Sequence, residues 1–313
     1  MRAGPHINRV YAKGSSRPSI VDHIRAARSQ AASESDFDIR AVQIFVAGPQ
    51  TATITLRDEE ADELRGYTRE TGLICVAHGA YIDFPWTGKP FPAKFIRKEL
   101  ALCTRAGLRG LVIHLGKIPH EQVVGVLPRL LRLGPADAPH ARRGKPRTAR
   151  LILETPAVKP KNSQYETPEK LAQLFRAIRR VDPRLKRVGL CIDTAHLWAC
   201  GVDLETYEAA ERWLQRLEAV SEDIPSKRIM FHINDSASKK GSGVDRHAPL
   251  LHGLMWGGYR DRPNQSGLAA FVAYADRHGT VAILERKPPE ALLGDYSILE
   301  RLTKTTRESK KVK

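Results

Sequence analysis

Six apolar runs of this 313-residue sequence end in a side chain able to ligate a metal. LICVAH ends at His78, LVIH at His114, LILE at Glu154, LCID at Asp193, IMFH at His232 and VAILE at Glu285. Two further motifs add donors. CIDTAH places His196 three residues after Asp193, and DRH places Asp245 and His247 two apart, on one side of an extended backbone. Carboxylates and imidazoles are hard or borderline ligands that suit a divalent ion. Singly, each residue has an ordinary structural explanation: a rim histidine, a helix-capping glutamate, or a surface ion pair of D-R-H through Arg246. Together, four carboxylates and five imidazoles with no cation among them would repel or desolvate one another. Nine donors exceed the four that a structural zinc takes, so more than one metal is expected.

The stretch FHINDSASKKGSGVDRH shows how the chain delivers such groups. An apolar run over 228–233 reads as a buried strand, His232 and Asp235 stand where it turns polar, and Gly241 and Gly243 lead to Asp245 and His247. Similar runs place strands over 3–8, 41–45, 73–78, 110–114, 150–154, 188–193, 228–233 and 281–285. Helices are expected over 20–32, 59–69, 93–105, 121–133, 168–179, 204–219, 268–277 and 297–303. This α/β alternation argues a parallel sheet, and eight units favour a closed (β/α)8 TIM barrel over an open doubly wound sheet, the alternative. All strand ends would then share the C-terminal rim, where barrel enzymes place their chemistry. One domain is expected over 1–303, with a basic loop at 136–150 (ADAPHARRGKPRTAR) and a basic tail at 304–313.

No apolar run approaches the roughly 20 residues of a transmembrane helix, and MRAGPHINRV lacks the apolar core of a secretory signal. Cys75, Cys103, Cys191 and Cys200 form no C-x-x-C pair, so reduced thiols in an intracellular compartment are expected. A formal charge of +16 points to a polyanionic partner, nucleic acid or a membrane surface, and charge alone does not choose between them.

The strings CIDTAHLWACG and HINDSASKKGSGVDRH, with AHGAYI and IHLG upstream, resemble the endonuclease IV family of apurinic/apyrimidinic (AP) endonucleases over nearly the whole chain. VAHGAYIDFPW, GLCIDTAHLW and VAILER are most similar to its branch in large DNA viruses. The resemblance implies about three zinc ions. His78 and His114 would hold the first with Glu154, which bridges to the second. Asp193, His232 and Glu285 would complete the second, and His196, Asp245 and His247 would hold the third. It also implies a monomeric hydrolase of base excision repair acting on double-stranded DNA with abasic sites, with no membrane partner. Cleavage 5′ to the lesion would leave 3′-hydroxyl and 5′-deoxyribose phosphate ends, with trimming of blocked 3′ ends. A viral protein of this kind would work in the nucleus or cytoplasm of an infected cell, or in the virion. Ala195 departs from the bacterial pattern, as do Leu251 and His252, and VAGPQTAT lacks the arginine that bacterial relatives insert into DNA.

Within that reading Glu154 and Glu285 orient the attacking water. Tyr81 and Ile82 match positions where the family inserts an aromatic and an apolar side chain into the gap left by the swung-out nucleotide. The alternative is that Tyr81 packs with Phe84 and Trp86. Gln50, Lys239, Lys240 and Arg246 are expected to contact DNA, with Arg142, Arg143 and Lys145 touching phosphates. Two rivals remain. A metal-dependent sugar isomerase would explain the ligands but not the charge, and a non-catalytic basic DNA-binding protein the charge but not the ligands.

Overall fold

The computed structural model describes residues 1–9, 18–81, 85–132, 148–286 and 289–311. Eight parallel strands close a barrel: β1 (Arg2–Ile7), β2 (Ala41–Phe45), β3 (Ile74–His78), β4 (Gly110–His114), β5 (Arg150–Glu154), β6 (Val188–Asp193), β7 (Ile229–His232) and β10 (Val281–Leu284). They follow one another around the ring, and β1 pairs with both β2 and β10 to close it. Two short strands, β8 (Asp235–Ser236) and β9 (His247–Ala248), form a separate antiparallel pair.

The strand period explains why the rim is polar while the barrel centre is not. Val76, Val112, Ile152, Cys191, Met230 and Ile283 form an inner apolar cluster. Side chains alternate along a strand, so the residue two positions on faces the same way. The step carries Val76 to His78, Val112 to His114, Ile152 to Glu154, Cys191 to Asp193, Met230 to His232 and Ile283 to Glu285. One set of strands therefore builds an apolar plug and, directly above it, a layer of ligand-type side chains.

Helices cover the outside: α1 (Ile20–Ser35), α2 (Asp58–Thr71), α3 (Pro90–Arg105), α4 (His120–Leu131), α5 (Pro168–Ile178), α7 (Tyr207–Ala219), α8 (Gly267–His278) and α9 (Leu293–Lys311), with the short α6 (Thr194–Ala199) leaving β6. Their buried faces pack against the outer faces of the strands in a second, larger apolar cluster. Local signals set the helix starts. Ser19 and Asp22 form a capping box at α1, and Thr167 caps α5 ahead of Pro168. Thr206 accepts the N–H of Ala209, which is why α7 begins at Tyr207 and not at 204.

The C-terminus differs from expectation. The helix expected over 297–303 is α9, which continues through the supposed tail as far as Lys311. The Thr303 and Thr306 hydroxyls bond the carbonyls of Leu299 and Leu302, and Arg307 reaches Asp276 at 2.9 Å. Lysine, arginine and glutamate are good helix formers, so a charged segment of this kind can extend a helix. Of the basic loop, residues 136–147, including Arg142, Arg143 and Lys145, lie outside the described residues. Among the described residues no helix is long and apolar enough to cross a membrane.

Candidate metal centre

Glu154 is the hub of the polar layer. Its Oε2 lies 3.2 Å from His78 Nε2 and 3.0 Å from His114 Nε2, while its Oε1 lies 2.8 Å from His232 Nδ1. The two oxygens of one carboxylate thus face two different groups of donors. His78, His114 and Glu154 make one group, and Glu154, Asp193, His232 and Glu285 a second, the ligand atoms of each lying within 4.8 Å of one another.

A third group stands beside them. Asp245 places Oδ2 3.1 Å from His196 Nε2 and Oδ1 3.0 Å from His247 Nε2. Asp193 joins it as well, with Oδ2 3.8 Å from His247 Nε2, a sharing the spacing did not foretell. The D-x-x-H spacing has a local cause. Asp193 is the N-cap of α6, and its Oδ1 accepts the N–H of His196, three residues on, at 2.9 Å. Helix start and ligand pair are the same motif. The D-x-H pair is delivered by the β8–β9 hairpin, whose loop glycines satisfy the last carbonyls of α6: Gly241 N–H donates to Trp198 and Gly243 N–H to Ala199. Gly243 has φ +70°, and a Cβ there would lie 2.6 Å from the Lys159 nitrogen, so only glycine brings the loop this close.

Two observations speak to whether these residues fit a metal. Nε2 of His196 and of His247 is buried without a hydrogen-bond partner, although each has an Asp245 oxygen at about 3 Å. Two buried nitrogens left unpaired this close to carboxylate oxygens suit ligands of one ion. The other nitrogens are already tied down: Nδ1–H of His78 bonds the Gly79 carbonyl at 2.8 Å and Nδ1–H of His196 the Thr155 carbonyl at 2.7 Å. That fixes the tautomer with Nε2 free to ligate. The electrostatics agree. Burial opposes charge on His196, yet Asp193 and Asp245 hold its imidazolium well above the ordinary 6.5. Burial likewise opposes the Glu154 carboxylate, yet His114 and His232 hold it well below the ordinary range. Burial raises Asp193 against the pull of His196 and His247. The layer calls for positive charge, which protons on histidine supply and a divalent ion would replace. Cys191 lies close to Glu154 and His232, but burial pushes its thiol up to about 12, leaving it the least available donor.

The layer also contains residues that the run ends did not reveal. Gln43 donates Nε2–H to Glu285 Oε1 at 2.7 Å and accepts from His232 Nε2 at 2.9 Å. Asn234 donates to Asp193 Oδ2 at 2.8 Å and to Glu285 Oε2 at 3.2 Å. The signal for Gln43 was its place in AVQIF, a glutamine two residues beyond the inward-facing Ala41 in a fully buried strand. Asp235 stays out of the site. Its carboxylate accepts the backbone N–H groups of Ser236, Gly253, Met255 and Trp256, and burial raises it to about 6.

Of the expected DNA contacts, Tyr81 sits over the rim, 51% exposed, its ring centroid 5.0 Å from His78, 5.6 Å from His114 and 5.8 Å from Phe45. Trp86 is buried, its Nε1 bonded to the His114 carbonyl. Ile82 and Phe84 lie outside the described residues. Tyr81 N–H donates to the Pro49 carbonyl at 2.6 Å, which brings exposed Gln50 to the same edge. Lys239 and Arg246 are exposed on the hairpin; Lys240 is exposed too, with its ammonium 5.4 Å from the Trp198 ring centroid and 3.7 Å from Asp203.

Behind the Tyr81 loop, Glu99 of α3 is 1% exposed and accepts the N–H of Ala80 at 3.2 Å. Burial pushes its carboxyl from the ordinary 4.5 up to about 8. The folded state therefore binds a proton that the unfolded chain has released, and stability is lost as pH rises from about 4.5 towards 8. Glu99→Gln is expected to flatten this part of the stability profile in urea titrations; an unchanged slope would show that Glu99 does not titrate there.

A family model described as xylose isomerase-like TIM barrel (AP_endonuc_2) matches residues 30–294. A probable AP endonuclease of African swine fever virus (isolate Tick/South Africa/Pretoriuskop Pr4/1996) is 40% identical over 276 residues, covering 86% of this chain and 88% of its own. A solved structure described as the crystal structure of AsfvAP:AG superposes with a TM-score of 0.85 at 35% identity, over 96% of this chain and 98% of that one. Endonuclease IV from Thermus thermophilus shares the fold, with a TM-score of 0.66 at 24% identity over 99% and 100% of the two chains.

Proposed function

Because this chain belongs to the endonuclease IV family of AP endonucleases, we propose that it is a zinc-dependent enzyme that hydrolyses the phosphodiester 5′ to an abasic site in duplex DNA. The products would be 3′-hydroxyl and 5′-deoxyribose phosphate ends, and blocked 3′ ends would be trimmed by the same chemistry. The observation that carries this reading is the divided carboxylate of Glu154, with donors to one group on one oxygen and to another on the other.

His78, His114 and Glu154 would hold the first zinc, Glu154, Asp193, His232 and Glu285 the second, and His196, Asp245 and His247 the third. Zinc supplies charge neutralisation at the phosphate and acidifies an attacking water towards about pH 7. Glu154 and Glu285 would orient that water. Gln43 and Asn234, each bonded to Glu285, keep its carboxylate facing the mouth. A cavity of about 480 Å³ bounded by His114, Pro156, His196 and Asp245 gives the swung-out sugar a place beside the metals. Tyr81 fills the vacated stack, while Gln50, Lys239 and Arg246 meet the backbone of the duplex. A sugar isomerase would share the barrel, but it has no use for a charge of +16 or for the hairpin that adds Asp245 and His247.

The test is cleavage of a duplex with one abasic analogue, with and without chelator, together with elemental analysis. About three zincs per chain are expected. Asp245→Ala combined with His247→Ala should remove about one of them and abolish most cleavage while duplex binding persists. One zinc in the native protein, or a variant that loses binding but not turnover of bound duplex, would overturn the assignment.

A further inference from the structure

The buried face of α3 carries one carboxyl. Pro92, Ile96, Glu99 and Cys103 follow one another there at helical spacing, so Glu99 stands where the period calls for an apolar side chain. Among the described residues no cation pairs with it, and its one polar partner is the Ala80 N–H. Burying a carboxyl without a counter-charge costs stability that an apolar side chain of the same length would not. Packing therefore does not account for a glutamate at this position, whereas the bond to Ala80 does.

That bond belongs to the turn that carries Tyr81. Three consecutive N–H groups leave the end of β3, and each is taken by a different part of the fold. Gly79 N–H donates to the Val112 carbonyl of β4 at 2.8 Å, Ala80 N–H to Glu99 Oε1 of α3 at 3.2 Å, and Tyr81 N–H to the Pro49 carbonyl, ahead of α2, at 2.6 Å. The second carboxyl oxygen lies against the same turn, since a Cβ on Gly79 would stand 3.8 Å from Glu99 Oε2. The outer two bonds join backbone to backbone and come with the barrel itself. The middle one depends on a single side chain. Peptide units are planar, so fixing the N–H on either side of the Ala80 Cα sets the direction in which the chain enters Tyr81. The Tyr81 ring is half exposed and rests only on the rim histidines and Phe45, so the backbone beneath it decides where it stands.

We propose that Glu99 is a positioning residue for lesion recognition: by holding the Ala80 N–H it sets the direction from which the Tyr81 ring enters a gap in the DNA stack. The inference rests on the reading of Tyr81 as the residue that fills the vacated stack. A ring oriented in advance loses less conformational entropy on entering DNA than one carried by a free loop. Glu99 acts through the backbone and touches neither the DNA nor the metal ligands. A carboxamide offers the same acceptor oxygen, so Glu99→Gln keeps the contact, while Glu99→Met, of similar length and apolar, removes it.

The test compares Glu99→Met and Glu99→Gln, each alone and combined with Tyr81→Ala, in the metal-loaded protein. Amide exchange at Ala80 and Tyr81, read without DNA, should quicken in Glu99→Met and stay native in Glu99→Gln. Cleavage of abasic duplex should fall about tenfold in Glu99→Met and hold in Glu99→Gln. Cleavage of a flexible single-stranded abasic substrate and zinc content should be native in both. On a Tyr81→Ala background Glu99→Met should cost nothing further, because the two changes remove one function. Native exchange in Glu99→Met, equal losses on both substrates, a loss that adds to that of Tyr81→Ala, or the same loss in Glu99→Gln would each overturn the proposal. A native protein that cuts neither abasic substrate overturns the proposed function and this inference with it; native cleavage that Glu99→Met leaves intact overturns this inference alone.

Discussion

Glu154→Gln is expected to lower cleavage of an abasic duplex by more than about 10³-fold while leaving the barrel folded. Loss of a single outer partner of a metal ligand already costs roughly 10- to 100-fold, and Glu154 is itself shared by two donor groups. The amide that replaces it keeps the shape but offers one oxygen where two are needed. Its NH2 would face either His78 and His114 or His232, because imidazoles stand at 3.2, 3.0 and 2.8 Å on its two sides. Zinc content should fall with activity, and circular dichroism should be unchanged. Single-turnover rates within about tenfold of the native enzyme would remove Glu154 from the centre of the mechanism.

Tyr81→Ala is expected to separate lesion recognition from chemistry. The ring is half exposed and rests on His78 and His114, so it can leave this shelf for a gap in the DNA stack without disturbing a packed core. An aromatic stacked on a base contributes about 1 to 3 kcal/mol, or roughly 5- to 150-fold. Cleavage of abasic duplex should fall by that factor, zinc content should hold, and a flexible single-stranded abasic substrate, with no stack to open, should be cut almost as before. Equal losses on both substrates would mean that Tyr81 supports His78 and His114 and does not engage the lesion.

Much of this was legible in the sequence because strands write their geometry at period two. Val76 and His78, or Met230 and His232, share a face, so an apolar run that ends in a donor already states where that donor points. What was not legible depends on contacts across the ring. Gln43 and Asn234 lie far apart from Glu285 in sequence and are joined to it only once the ring is closed, with β7 beside β10 and β2 one strand further on, beyond β1. The sharing of Asp193 between two donor groups also needs the hairpin folded back over α6, a contact made by backbone N–H groups that no side-chain pattern records. The helical state of the basic tail was not legible for a different reason: its seat is made by Leu299 and Leu302, upstream of the charged segment.

Closure of the ring by its first and last strands has a consequence for how the protein is made. Glu285 is reached only as β10 ends, and β10 finds its place by pairing with β1, the earliest strand of all. A chain still emerging from the ribosome holds the histidines and Glu154 but has no completed pocket, since contacts between distant segments wait for loop closure. A product that ends before β10 lacks both Glu285 and the strand that closes the ring, and is expected to have no cleavage activity. The same topology sets a timing for metal: ions taken up early would meet a partial, open set of donors, so loading belongs to the finished chain.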